Sequence, residues 1–262
     1  MILKAAVFAA AFFAGKRRLF ANKTRSNVCC DFRDGRKGIA MQYKAVIFDL
    51  DGTLIDSLED LADSVNLMLE GYGFPTHDVE AYRYFVGNGS KKLMERTLPA
   101  EKASSDEFVE EALMKYKAIY KERILEKTRP YKGVRELLTE LKRRCIPLAV
   151  CTNKHNEAAL TIVKILFAPD AFDEVLGDRP GFPKKPDPAT PLEIAARLGV
   201  KPEEVAYLGD TSVDMETAVR AGFLPVGVLW GFRPKKELVE SGAKILLETP
   251  WELLEKVEFS KS

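Results

Sequence analysis

Apolar and polar positions change their period twice along this chain. Residues 45–48, "AVIF", form an unbroken apolar run that ends on Asp49, the pattern of a strand buried on both faces. From Ser57 the period becomes helical: Leu58, Leu61, Val65, Met68 and Leu69 share one face. Ser57 and Asp60 have the spacing of a capping box, and residues 71–75 supply the stop. Two further helices are expected, one after "VGNGS" (86–90) and one over about 105–126 carrying Val109, Ala112, Tyr116, Ile119 and Tyr120. With no strand expected between about Ser57 and Arg129, this stretch reads as an all-helical insert.

Past Pro130 the two periods alternate. Helices are predicted over 133–144, 157–166, 188–198 and 213–221, the last stopped by Gly222. Strands are predicted over 147–153, 172–176, 205–210 and 224–230, and residues 234–257 add a helix, a short edge strand near Ile245 and a final helix. Such alternation means parallel βαβ units, so the body is α/β.

Three of the predicted strands end in polar groups. Asp49 closes the first and is followed by Asp51, about 6.6 Å away on the same side if the backbone stays extended. Thr152 and Asn153 close the second, and Asp210 closes "VAYLGD" with Asp214 one helical turn later. Carboxyl ends of strands are where open α/β sheets bind ligands. Converging carboxylates repel one another, and a hard cation with oxygen ligands, best Mg²⁺, relieves that repulsion. A calcium loop fits poorly, because Leu54 stands where its glycine belongs and Asp60 where its bidentate Glu belongs. Lys185 lies in "KKPDP" (184–188), where two prolines stiffen the backbone and favour a fixed ammonium.

Composition narrows the classes. The chain has 262 residues, 46% hydrophobic and 30% charged, as a globular enzyme does. Its net charge of +1 hides an asymmetry. Residues 1–40 hold nine Lys/Arg against two Asp, while the rest holds 31 basic and 37 acidic residues. A mildly acidic body argues against a nucleic-acid partner. The apolar patch at 5–15 has the length of a signal h-region, but most of its positive charge follows the patch instead of preceding it. An amphipathic surface anchor is another reading of it. The favoured expectation is that Met41 is the start and that residues 1–40 are disordered, weakly helical or untranslated. No apolar run reaches membrane-span length. Four cysteines without metal-ligand spacing read as reduced thiols of a cytoplasmic protein.

"FDLDGT", "CTNK", "KKPDP" and "GDTSVD" stand in the order and spacing of the haloacid dehalogenase-like phosphatases, which this chain resembles from about Tyr43 to Val257. The resemblance implies a Rossmann-like parallel sheet in the order 3-2-1-4-5, with a core of 41–56 and 130–262 and a helical cap at 57–129. It implies Asp49 as nucleophile, Asp51 as general acid/base, and Thr152 with its neighbouring amide, together with Asn153, as phosphate holders. Lys185 matches the lysine of the family. Asp49, Asp210 and Asp214 would bind Mg²⁺, with Asp51 reaching it through its backbone carbonyl. Because dehalogenases of the superfamily lack the second Asp, Asp51 points to phosphate esters.

Within the superfamily, the helical cap and "FVGNGSKKLMERTLP" (85–99) are most similar to phosphoglycolate phosphatases, which implies hydrolysis of 2-phosphoglycolate. Lys91, Lys92 and Arg96 are then candidates to meet the substrate carboxylate, Lys91 first. Pyrophosphatase and sugar-phosphate phosphatase or mutase activities are the alternatives, and a phospho-accepting regulatory module is the alternative outside catalysis. The expected partner is a small phosphorylated metabolite, handled by a monomer or homodimer with no stable membrane insertion.

Overall fold

The computed structural model describes residues 42–260; the readings of residues 1–40 and of Met41 lie outside them. The first apolar run becomes β1 (Ala45–Phe48), all four residues buried. Val46 and Phe48 face one core cluster, Ala45 and Ile47 another, which is why the run has no polar position. Beyond it the chain forms a two-stranded antiparallel ribbon, β2 (Ile55–Asp56) with β3 (Arg129–Pro130). The ribbon brings together the entry to and exit from the helical insert. Two-residue strands carry no period, and Pro130 argues against a strand, so neither is legible in the sequence.

Between the ribbon strands lie α1 (Leu58–Glu70), α2 (Val79–Phe85), α3 (Ser90–Thr97), α4 (Ala100–Ala103) and α5 (Asp106–Arg123). They enclose their own core of Met68, Leu69, Tyr82, Met94, Val109 and Tyr116, to which Phe232 is added from outside the insert. The expected capping box is not formed. Ser57 makes no capping hydrogen bond; its Oγ donates instead to Asp51 Oδ1 at 2.6 Å.

Asp60 has a different task. Buried at 1% exposure, it accepts the amides of Lys127 (2.9 Å) and Thr128 (2.9 Å) and the Thr128 hydroxyl (2.6 Å). The first turn of α1 is thereby tied to the chain returning from α5. Asp60→Ala strips these buried donors of their acceptor and should cost roughly 2–4 kcal/mol. That loss would show as a lower denaturant midpoint at unchanged slope; an unmoved midpoint would deny the tie its role.

The remaining elements alternate as predicted: α6 (Val134–Arg143), β4 (Leu148–His155), α7 (Asn156–Leu166), β5 (Glu174–Asp178), α8 (Ala189–Leu198), β6 (Val205–Gly209), α9 (Ser212–Ala221), β7 (Leu224–Val228), α10 (Lys235–Glu240), β8 (Ile245–Leu247) and α11 (Leu253–Lys256). All pairings in the six-stranded sheet are parallel, in the order β5-β4-β1-β6-β7-β8. Counting only its own strands, that is the expected 3-2-1-4-5 with the edge strand near Ile245 added as the sixth. The third strand begins two residues later than its apolar pattern suggests. Phe172 leaves the ladder and packs edge-on against Phe48 and Phe167. Among the described residues no helix is long and apolar enough to cross a membrane.

Candidate active site

β1, β4 and β6 are neighbours, so their carboxyl ends bring Asp49, Thr152 and Asp210 to one edge of the sheet. Asp214 joins them from the first turn of α9, where a capping box locks it. Thr211 accepts the Asp214 amide, and Asp214 Oδ2 accepts Thr211 N (3.1 Å) and Oγ1 (2.6 Å). Asp49, Asp210 and Asp214 are all buried, and one oxygen from each lies within 4.8 Å of the others.

One ammonium stands among these three carboxylates. Lys185 Nζ is 2.9 Å from Asp49 Oδ1 and 2.7 Å from Asp214 Oδ1. Its backbone is held on both sides by Asn153, whose Oδ1 accepts Lys185 N (2.8 Å) and whose Nδ2 donates to Lys185 O (3.0 Å). The same Nδ2 donates to Gly87 O of the insert at 3.0 Å. Asn153, expected to hold substrate, thus has its side-chain amide committed to placing Lys185. Asp210 accepts Thr53 Oγ1 (3.1 Å) and Phe232 N (2.8 Å). Space for Asp210 comes from Gly52, at φ +84°, and Gly231; a Cβ at either would collide with it.

The electrostatics follow from burial. Burial pushes the Asp49 carboxyl up to about 7 against the pull of Lys185, with Asp214 adding to the rise. Burial, then Asp214 and Asp49, hold Asp210 well above the ordinary carboxylate range. Burial opposes the charge of Lys185, but Asp214 and Asp49 together outweigh it and keep its pKa above the usual value.

This cluster suits a divalent cation. Three carboxylates face one ammonium, and buried Asp49 Oδ1, though ion-paired to Lys185, lacks an aligned hydrogen bond. The donors are hard oxygens, the set Mg²⁺ takes. Asp49 and Asp210 keep lone pairs free, whereas Asp214 Oδ2 already accepts twice and its Oδ1 takes Lys185.

The side chain of Asp51 stands outside the trio. The backbone turns after Leu50, with Leu54 N and Ile55 N both bonding back to Leu50 O. The Asp51 carboxylate thus reaches Ser57 and Lys154 Nζ, the latter at 3.0 and 3.1 Å. Thr152 is buried, its Oγ1 accepting Lys154 N at 3.2 Å. Asp49, Asp51, Thr152, Asn153 and Lys154 line a cavity of about 400 Å³, closed from the insert by Leu61, Leu93, Tyr116 and Tyr120.

Lys91 does not line this cavity. It pairs with Asp106 (3.3 Å) and Glu110 (3.1 Å) of α5, because the packing of α3 on α5 turns it outward. Lys92 bonds Glu95, and Arg96 the carbonyls of Tyr84 and Phe85. Sequence reasoning passed over Lys154, Thr53 and the Phe232 amide. Lys154 was visible at the end of "CTNK"; a backbone amide leaves no trace in sequence.

Residues 46–228 match the model of the haloacid dehalogenase-like hydrolase family, and the chain belongs to that family. Among individual proteins, it is similar to the phosphoglycolate phosphatase of Neisseria meningitidis serogroup A, 36% identical over 191 residues, which span 72% of this chain and 81% of that protein. The phosphoglycolate phosphatase of Chromobacterium violaceum is 34% identical over 191 residues, 72% of this chain and 86% of the relative. A crystal structure of a predicted phosphoglycolate phosphatase from Haemophilus somnus 129pt superposes with a TM-score of 0.77 at 28% identity, covering 84% of this chain and 99% of that one. A β-phosphoglucomutase from Clostridium difficile, at 21% identity and a TM-score of 0.69, shares the fold.

Proposed function

We propose that this chain is a Mg²⁺-dependent phosphomonoesterase that works through a phosphorylated Asp49 and takes 2-phosphoglycolate as its substrate. The observation that carries the reading is Asp49 itself, a buried carboxylate at the end of β1, paired with a buried lysine and opening into the cavity. An Asp49 oxygen attacks phosphorus as the ester oxygen leaves, and Asp51 gives that oxygen its proton. Asp51 then takes a proton from the water that cleaves the Asp49–phosphoryl bond, releasing phosphate. Lys185 offsets charge on Asp49 and on the transferring group. Asp49, Asp210 and the Asp51 backbone carbonyl would hold Mg²⁺, with Asp214 beside them; bound there, it neutralises phosphoryl oxygens. Thr152, which lines the cavity, would hold a phosphoryl oxygen.

The insert, residues 57–129, is read as a cap on the core, whose described residues are 42–56 and 130–260. Bonds from Asn153 to Gly87 O, from Arg83 to Gly231 O (3.1 Å) and from Arg233 to Val86 O (3.2 Å) support closure that keeps bulk water out. A phospho-accepting regulatory module is disfavoured, since it needs neither Asp51 nor a roofed cavity.

The choice of 2-phosphoglycolate rests on the relatives. The cavity favours a second reading, because about 400 Å³ is more than a two-carbon acid fills, and a sugar phosphate would fit. A panel of 2-phosphoglycolate, hexose phosphates and pyrophosphate with Mg²⁺ decides. The highest kcat/KM is expected for 2-phosphoglycolate; a higher value for another member would replace the substrate and leave the reaction class standing.

A further inference from the structure

Lys154 is a buried cation that the reaction above does not use. Its side chain is 6% exposed and directed to both oxygens of Asp51. Its ammonium lies 4.7 Å from the ring centre of Tyr120, on the insert. Burying an ammonium is costly unless it is paired, so this one is held in place for a reason. Beside it, the Tyr120 hydroxyl is buried and has no partner, an arrangement a folded protein rarely keeps without use. Lys154 and Tyr120 both line the cavity.

The pairing conflicts with the role proposed for Asp51. Proton delivery needs that carboxyl at the leaving oxygen, yet here Lys154 and Ser57 occupy it. Some other anion has to take Lys154 over. We propose that the substrate supplies it: a carboxylate placed near the phosphate takes Lys154 from Asp51, with the Tyr120 hydroxyl as second donor, and so frees Asp51 for proton transfer. The enzyme would then select phosphomonoesters bearing a second anionic group, and would couple that selection to turnover. No covalent bond changes in this step; one ion pair is exchanged for another.

The competing lysines and the arginine of the insert are accounted for. Lys91, Lys92 and Arg96 are engaged elsewhere and do not line the cavity. Lys117 and Lys121 line it from α5 but are exposed, where solvent weakens a charge contact.

The inference rests on the reading of Asp51 as the acid, and its test uses matched substrate pairs. These are 2-phosphoglycolate against ethyl phosphate, and phospholactate against isopropyl phosphate. The expected result for Lys154→Met is a fall of roughly 10- to 100-fold in the preference for the carboxylated member, the size of one charge-assisted contact. Lys154→Arg should keep a good part of that preference, because the charge remains. Equal losses on both members of a pair would overturn the proposal, leaving Lys154 as no more than a support for Asp51. Transfer of the effect to a Lys117→Ala/Lys121→Ala variant would overturn it equally. If phospholactate outran 2-phosphoglycolate and Lys154→Met erased its advantage, the substrate reading would fail and this one would stand. A test on the unaltered enzyme remains should Lys154→Met not fold. Acetate at millimolar concentration should speed turnover of methyl phosphate, and the absence of any acceleration would count against the exchange.

Discussion

Asparagine at position 49 is expected to lower kcat at least about a thousandfold while leaving the protein folded. The amide is nearly isosteric with the carboxylate but cannot act as nucleophile, and no second carboxylate is free to take over. Asp210 and Asp214 are fixed by Thr53, the Phe232 amide, Thr211 and Lys185. The fold should tolerate the change because Lys185 keeps Asp214 at 2.7 Å, so no buried charge is left alone. Single-turnover kinetics beside a thermal melt would check both halves. A residual kcat within tenfold of the parent would remove Asp49 from the chemistry.

Chelation of divalent ions should abolish turnover, and Mg²⁺ should restore it. Ca²⁺ should serve badly, since it prefers more ligands at longer distances. Replacing Asp210 should raise the Mg²⁺ requirement more than replacing Asp214, whose oxygens are largely taken by protein donors. Stability should follow the same cluster. Without an ion, Asp49 and Asp210 have pKa values above the usual carboxylate range, so the folded state binds their protons more tightly than the unfolded one. Their stabilising contribution is then full below about pH 4, the unfolded value, and is lost as the pH rises through about 7, the value for Asp49. Mg²⁺ binds the ionised forms, so the rise in Tm it produces should be larger at pH 8 than at pH 5. An equal rise at both pH values, or full activity in chelator, would contradict a metal held by these carboxylates.

What could be read beforehand was local. Asp49, Lys185, Asp210 and Asp214 each stand in a short string at a strand end or stiffened loop, and parallel βαβ alternation brings such ends together. Contacts set by tertiary packing were not legible. Ser57 and Asp60 have capping-box spacing, yet Asp60 bonds residues 127 and 128, far along the chain, and Ser57 turns to Asp51. Lys91 follows the insert's glycine-rich turn, but the packing of α3 on α5 decides that it meets Asp106 and Glu110. Asn153 follows Thr152 at a strand end, a position that suits a phosphate ligand; only the folded loop shows its amide bracketing the backbone of Lys185. Lys154 stands in the open at the end of "CTNK", but a lysine at a strand end ordinarily reads as solvated, and only the fold shows it paired with Asp51.

The most direct test of the central claim is to trap the enzyme during turnover. Acid quenching within the first turnover of 2-phosphoglycolate, followed by peptide mass spectrometry, should find one phosphoryl group on the peptide carrying Asp49, and none in Asp49→Asn. Turnover that proceeds with no phosphoryl group on that peptide at any quench time, or with the group on another residue, would contradict it.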